Sequence, residues 1–206
     1  DFAPFNTDEK AILFPLEKSE FLTEKNVLNK NFDDEKVLFA DEKSKEKHIE
    51  IVEKAMEEKK KSKLQKVVVS RKENVQLADF DLLKIFQNLL ENYQNAFVSV
   101  WFHPKVGLWL GATPETLLQV NNNAFKTMSL AGTQVYYNTN NVIWKSKELE
   151  EQQLVTDFIE SQLDGISSNL KTDKTETIKA GNLLHLRTKV EGVLDKKSDL
   201  KSLIRA

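Results

Sequence analysis

The most regular pattern along the chain is a helical spacing of apolar residues within a highly charged segment. From residue 41 onward, Ile49, Val52 and Met56 recur at intervals of three and four residues, and charged residues fill most positions between them. This spacing places the three side chains on one face of an amphipathic helix. The lysine run at residues 59–63 is then its solvated end.

Two more segments have the same periodicity. Residues 79–93 and residues 145–163 each keep one apolar face, built from aliphatic and aromatic side chains three or four positions apart. We therefore predict two further amphipathic helices. A loop is predicted at residues 138–141, before the second of them.

Shorter alternating and β-branched runs predict strands between these helices. Residues 66–71, with the sequence KVVVSR, are typical of a buried strand that begins with a lysine. Alternation on both sides of Pro104 and onward to residue 132 predicts an antiparallel meander. Residues 181–194 again have β character.

Helices interleaved with antiparallel strands predict an α+β fold, in which the helices pack on the outer faces of the sheets. A chain of 206 residues can bury one core, so we expect a single domain over residues 1–206. The sequence starts at Asp1 instead of a methionine and stops at Ala206, just after a charged segment. We expect it to be truncated at the C-terminus and also at the N-terminus.

Composition narrows the classes of function. A net charge of -2 and the few arginines, Arg71, Arg187 and Arg205, give no basic surface for nucleic acid. The chain has no cysteine, which excludes a disulfide, a thiolate metal site and a cysteine nucleophile. No segment suits a membrane span or a signal peptide, so a soluble, cytoplasmic protein is expected.

Four short segments carry side chains suited to chemistry, and each also has a plain structural explanation. Lys66 is either a lysine that extends into solvent or, where buried, a general base. Glu115, within GATPETLL at residues 111–118, is either exposed on a turn or an acid at the edge of a cleft. Generic phosphate-loop, dinucleotide, hydrolase and zinc-protease motifs are absent from the sequence.

The other two segments suit the binding of a ligand or a metal. SLAGT, residues 129–133, is either an ordinary turn or a place where the backbone approaches a ligand, with the Thr133 hydroxyl beside it. Glu148 and Glu151 lie three apart on a predicted helix and therefore share a face. They are either solvated or ligands of a divalent cation.

Five motifs in this order, KVVVSR, GATPETLL, LAGT, KELEEQQ and LLHL, resemble those of the chorismate-binding family. That family includes isochorismate synthase, salicylate synthase and the large subunits of anthranilate and aminodeoxychorismate synthases. The similarity runs from FAPF near the start to Val193. It implies an α+β fold like that of anthranilate synthase component I.

The resemblance also implies a Mg²⁺-dependent isochorismate synthase. Lys66 would take a proton from water, which adds at C2 of chorismate, while Glu115 protonates the departing C4 hydroxyl. Relatives that use ammonia carry glutamine in place of Lys66, so the lysine implies a water nucleophile. Mg²⁺ bound through Glu151, with Glu148 nearby or through water, would anchor the substrate.

The same resemblance implies that the substrate is bound by Ala131, Gly132, Thr133 and His185. Two positions depart from the family pattern, because Gln152 replaces a histidine and Gln134 replaces an arginine. A second magnesium glutamate and the cations that bind the substrate carboxylates belong to a later segment of that pattern. The 206 residues alone are therefore expected to be inactive.

Two alternatives remain open. A salicylate synthase shares Lys66, Glu115 and the metal helix, and adds a pyruvate elimination. A non-catalytic α+β interaction module would dock through the lysine-rich helix, and it predicts that Lys66 and Glu115 are exposed and far apart. For the enzyme we expect a monomer that needs no amidotransferase subunit. Menaquinone biosynthesis is favoured over siderophore biosynthesis on general prevalence.

Overall fold

A computed structural model describes residues 8–25, 42–138 and 142–206. The chain forms two compact units, residues 1–30 and residues 31–206. In the first unit, a short 3-10 helix spans Leu16–Lys18, and Ser19 Oγ donates a hydrogen bond of 2.7 Å to Pro15 O. The FAPF motif lies outside the described residues, and the single domain stays a prediction.

Three long helices in the second unit confirm the helical periodicities of the sequence. They are α1 (Glu42–Lys61), α2 (Leu82–Asn92) and α3 (Ser146–Leu163), and a short unpredicted helix, α4, spans Leu200–Arg205. Asp81 starts α2 by accepting a hydrogen bond from the backbone N–H of Lys84. Within the described ranges, no helix combines the length and the apolar character needed to cross a membrane.

Within the described residues, seven strands form two antiparallel sheets. The strands are β1 (Phe97–His103), β2 (Gly107–Thr113), β3 (Gln119–Asn121), β4 (Ala124–Val135), β5 (Ser167–Thr172), β6 (Glu176–Ala180) and β7 (Leu183–Leu194). Strands β1 and β2 pair with each other, and the larger sheet has the order β3-β4-β7-β5, with β6 also paired to β7. The single meander predicted from residue 96 to 132 is therefore wrong, because β2 and β3 belong to different sheets. Pro114, which lacks a backbone N–H, follows β2 at the point where the chain leaves the first sheet.

The strand predicted at residues 66–71 is wrong. These residues have neither helical nor strand conformation, and the Val68 side chain is 81% exposed. A strand requires a neighbour that accepts and donates its backbone hydrogen bonds, and no strand in the described ranges pairs with this segment. The β-branched residues of this segment favour strand conformation, but a segment forms a strand only when another strand pairs with it.

The core lies between the β4–β7 pair and the helices α3 and α4. It is formed by the buried side chains of Phe125, Leu163, Val190 and Leu203. The Phe125 ring packs directly on Gly192, where a Cβ atom would stand 2.7 Å from the ring. This close approach fixes β4 against β7 and lays α3 across the larger sheet, which positions the residues of the candidate site.

Candidate active site

Lys66 and Glu151 form a contact that joins two of the predicted motifs. The Lys66 Nζ atom lies 3.4 Å from Glu151 Oε1 and 3.5 Å from the Glu151 backbone oxygen. Their side chains are 23% and 38% exposed, so the pair is partly shielded from water. The lysine thus turns toward α3, and the interpretation of Lys66 as a fully solvated side chain is wrong.

A bulge in β4 places the small-residue motif against α3. The register of β4 on β7 shifts between Ala131 and Thr133, and Gly132 at that point has φ +71°. That conformation favours glycine. A Cβ atom on Gly132 would lie 3.4 Å from the Glu148 Cβ atom, so the backbone here is as close to α3 as a side chain would permit.

His185 stands opposite this bulge on β7. Its Nδ1 atom lies 3.2 Å from both the Gly132 carbonyl oxygen and Thr133 Oγ1. In the tautomer that carries the proton on Nδ1, His185 donates to the Gly132 carbonyl oxygen, and in the other tautomer Nδ1 accepts from the Thr133 hydroxyl. Three of the predicted substrate-binding residues, Gly132, Thr133 and His185, therefore lie within hydrogen-bonding distance of one another.

Glu148 has a structural function at the start of α3. Its Oε2 atom accepts a hydrogen bond of 2.9 Å from the backbone N–H of Lys145, which satisfies a donor at the helix N-terminus. Glu151, one turn later, holds only the Lys66 cation among the described ion pairs. Glu151 is consequently the better candidate for a direct metal ligand, with Glu148 limited to a contact through water.

The donor set fits a hard cation that keeps most of its waters. No group of three or more His, Cys, Asp or Glu side chains suited to a metal occurs in the described ranges. Mg²⁺ commonly binds through one or two carboxylates, with water and substrate oxygens completing its six ligands. Glu151 supplies one such carboxylate, which pairs with the Lys66 ammonium in this structure.

Glu115 lies in a different cavity. It is exposed in the segment between β2 and β3, and it lines an apolar cavity of about 280 Å³ together with Val155, Phe158 and Ile159 of α3. Lys66 is not among the residues that line this cavity. The two proposed catalytic groups therefore contact α3 at separate places.

On α3, the residue that contacts Lys66 and the first residue that lines the Glu115 cavity are one helical turn apart. Val155, beside Glu115 in the cavity, follows Glu151 by four residues on α3, which corresponds to about 6 Å along the helix axis and the same face.

A more open cavity contains none of the predicted site residues. Its volume is about 750 Å³, and it lies between α2 and the turn that joins β6 to β7. The Lys179 ammonium within it lies over the Tyr136 ring, 4.0 Å from the ring centroid. Its polar groups do not match the predicted chemistry, so we place the candidate site at α3.

Sequence reasoning missed two residues that support the site. Trp144 packs beside Gly132 and donates from its indole N–H to Thr177 Oγ1 at 2.9 Å. Gln152, noted only as a departure from the family pattern, is 2% exposed and lies on the face of α3 that packs on the larger sheet. The signal for Gln152 was present in the sequence, because a glutamine at a helix position facing the sheet requires buried hydrogen-bond partners.

Comparison with solved structures identifies the fold. A putative 2,3-dihydroxybenzoate-specific isochorismate synthase, DhbC, from Bacillus anthracis superposes with a TM-score of 0.71 at 20% identity, covering 84% of this chain and 50% of that chain. MenF, the menaquinone-specific isochorismate synthase from Escherichia coli, gives 0.61 at 20% identity, with 84% and 42% covered. Anthranilate synthase component I from Streptococcus pneumoniae gives 0.63 at 18% identity, with 84% and 39% covered.

The chain thus spans half or less of the length of these three proteins. A comparison with curated proteins found no match. The predicted α+β fold, like that of anthranilate synthase component I, is confirmed. Residues 6–206 match the family described as chorismate binding enzyme. With nearly its whole length matched, the chain belongs to the chorismate-binding enzyme family.

Proposed function

We propose that the protein carrying this chain is a Mg²⁺-dependent isochorismate synthase, which adds water at C2 of chorismate and removes the C4 hydroxyl. The observation that carries the proposal is the contact between Lys66 and Glu151, 3.4 Å apart in a partly shielded position. It brings a candidate base for water next to a candidate ligand for the metal. Both are at the positions where the family resemblance expects them.

Lys66 supports water as the nucleophile. The fold alone does not select a reaction, because two of the similar structures are isochorismate synthases and the third is an anthranilate synthase component. Adding water to a ring carbon requires removal of a proton from the water, and a lysine amine close to the ring can accept it. Ammonia-using relatives have glutamine at this place, according to the family resemblance.

Glu115 would supply the proton that the departing C4 hydroxyl needs. The side chains of Val155, Phe158 and Ile159 share its cavity and would form an apolar wall beside the substrate ring. Since this cavity begins one turn along α3 from Glu151, a chorismate ring lying along the helix would have the acid and the base on opposite sides.

The remaining residues would bind and orient the substrate. The Gly132 bulge would leave the backbone close to the chorismate ring, and His185, whose Nδ1 atom lies beside Gly132 O and Thr133 Oγ1, would present its other ring nitrogen. Thr133 offers a hydroxyl beside it. When bound through Glu151, Mg²⁺ would neutralise the ring carboxylate of chorismate.

Product analysis tests the proposal directly. The natural protein that carries these 206 residues is incubated with chorismate and MgCl₂, and the products are separated by chromatography. We expect isochorismate without pyruvate. Equimolar salicylate and pyruvate would establish the salicylate synthase alternative instead, and no conversion at all would favour the non-catalytic module.

Substitution of Lys66 assigns its role. Lys66→Gln is expected to lower kcat by a factor of about 10² to 10⁴, the usual contribution of a general base, with a smaller change in KM. Lys147→Gln, on an exposed lysine of α3, serves as the matched control and should retain normal kcat. Equal rates for the two variants would remove Lys66 from the mechanism. The 206-residue chain by itself is expected to show no turnover.

A further inference from the structure

The cation at Glu151 in this structure is the Lys66 ammonium. Its Nζ atom touches two oxygens of the same residue, the carboxylate Oε1 at 3.4 Å and the backbone oxygen at 3.5 Å. Lys147 lies four residues before Glu151 on α3, hence on the same face, and makes no ion pair with it within the described ranges. Lys66 is therefore held by direct contact, whereas Lys147 is a nearby charge.

We propose that Lys66 and a divalent cation are alternative partners of Glu151, so that metal binding displaces Lys66 from the carboxylate. This inference rests on the metal site of the proposed function. A magnesium ion binds a carboxylate oxygen at about 2.0–2.1 Å with an octahedral shell of further ligands. An ammonium group 3.4 Å from Oε1 competes for the same negative charge, and the two cations repel each other at such a separation.

The exchange would set the order of events at the site. Without metal, Lys66 neutralises Glu151 and stays turned toward α3, so its amine is not available to a water molecule over the substrate ring. Once a divalent cation neutralises Glu151, the four-carbon lysine side chain is released and can turn to the substrate. Metal binding thereby positions the base as well as the substrate carboxylate.

Binding of Mn²⁺ alone to the natural protein that carries these 206 residues tests the exchange without any turnover. Free Mn²⁺ is measured by electron paramagnetic resonance in roughly 0.15 M salt, which screens charges that are not in contact. Lys66→Met removes the competing cation and should tighten Kd roughly three- to fivefold, the range of a partly exposed ion pair. Lys66→Arg keeps a cation in place and should leave Kd within about 1.5-fold of the original value.

Two further variants separate competition from other effects. Lys147→Met removes an equal charge from the same face without breaking the contact, and should change Kd by less than about 1.5-fold. Glu151→Gln should abolish Mn²⁺ binding both alone and combined with Lys66→Met. Far-UV circular dichroism confirms that each variant retains its helices.

The outcomes distinguish this inference from the proposed function. If Lys66→Met binds Mn²⁺ no more tightly than the original chain, or if Lys147→Met tightens it equally, Lys66 does not compete at Glu151. Loss of binding in Glu151→Gln would still leave the metal site of the proposed function standing. If neither the original chain nor Lys66→Met binds Mn²⁺, both the exchange and the metal site are refuted.

Discussion

At the scale of single residues, Gln152 connects the core to the candidate site. Its Nε2 atom donates to Ser129 Oγ at 2.8 Å and to Thr188 Oγ1 at 3.0 Å, so α3 is hydrogen-bonded to both β4 and β7. The Ser129 hydroxyl is also 2.7 Å from Thr156 Oγ1, one turn further along α3. Since Glu151 directly precedes Gln152 in the chain, this buried network also fixes the backbone position from which the Glu151 side chain extends.

We predict that Gln152→Met lowers the free energy of unfolding by about 1–3 kcal/mol, because buried partners lose their donor while the side chain keeps its length. Urea denaturation followed by circular dichroism measures the change. Gln153→Met is the matched control, since the Gln153 amide donates to Asp157 at an exposed site. It should cost less than about 0.5 kcal/mol. Equal losses in the two variants would show that the buried network does not stabilise α3.

The sequence located the site residues through motif order, not through local physics. Lys66 and Glu151 lie 85 positions apart and meet only in the folded chain. Nothing in their local sequence distinguishes them from solvated charges, so the prediction depended on the family resemblance. Their contact is a finding of the structure, and their catalytic roles stay predictions. Lys66 does not line the cavity that contains Glu115. Local sequence contains no information on how far apart these two side chains lie in the folded chain.

At the scale of elements, β6 is held on β7 by a charged cluster. Glu176 pairs with Arg187 in the strand register, and its Oε1 atom accepts from Arg187 Nη2 at 2.7 Å and from Nε at 3.0 Å. The Lys189 Nζ atom lies 3.3 Å from the same oxygen. The hydrogen bond from Arg187, followed by that from Lys189, holds the pKa of Glu176 below its ordinary value of 4.5.

This lowered pKa predicts a specific pH dependence. A carboxyl group whose pKa is lower in the folded chain contributes stability above its unfolded pKa, and that contribution is lost as the pH falls through the folded value. As the pH falls below 4.5, we therefore expect the free energy of unfolding to decrease less in Arg187→Met than in the original chain. Urea unfolding at a series of pH values measures the slope, and Lys197→Met, on an exposed turn residue, controls for loss of one positive charge. Parallel slopes for all three proteins would refute the role of Glu176.

Helices were predicted better than strands, and the reason is physical. A helix closes its backbone hydrogen bonds within the segment, so the apolar periodicity of α1, α2 and α3 was sufficient. A strand depends on a neighbour, which local sequence does not reveal. Residues 66–71 have strand propensity without a described partner, whereas the polar strand β5 pairs with β7 despite a weak pattern.

At the scale of the whole molecule, the fold class followed from the alternation of helices and strands, but the division into two sheets did not. The β1–β2 sheet is apolar on both faces. Phe97 and Trp109 share one face of this hairpin, and Phe102 and Leu108 share the other. All four are exposed. Apolar residues on both faces are typical of a sheet whose two faces are both covered by other parts of a protein.

We predict that this hairpin gives the 206-residue chain a surface that binds apolar dyes. Exposed contiguous apolar surface of this kind is a binding surface for apolar ligands. Phe102→Ser should reduce the fluorescence of bound anilinonaphthalene sulfonate, and Phe97→Ser should do the same on the opposite face. Lys105→Ser, in the turn of the same hairpin, should leave the fluorescence unchanged.

Such a loss of dye binding has to be separated from a loss of folding. Trp101 and Trp109 stack across the hairpin with ring centroids 5.8 Å apart and planes 5° from parallel, so the near-UV circular dichroism of this pair reports whether β1 and β2 remain paired. Because both phenylalanines are exposed, their replacement should change the free energy of unfolding by less than about 0.5 kcal/mol. Dye binding that survives in both variants while the tryptophan signal is intact would place the apolar surface elsewhere. Dye binding that falls in both, with that signal retained, would show that the hairpin presents two independent apolar faces to solvent.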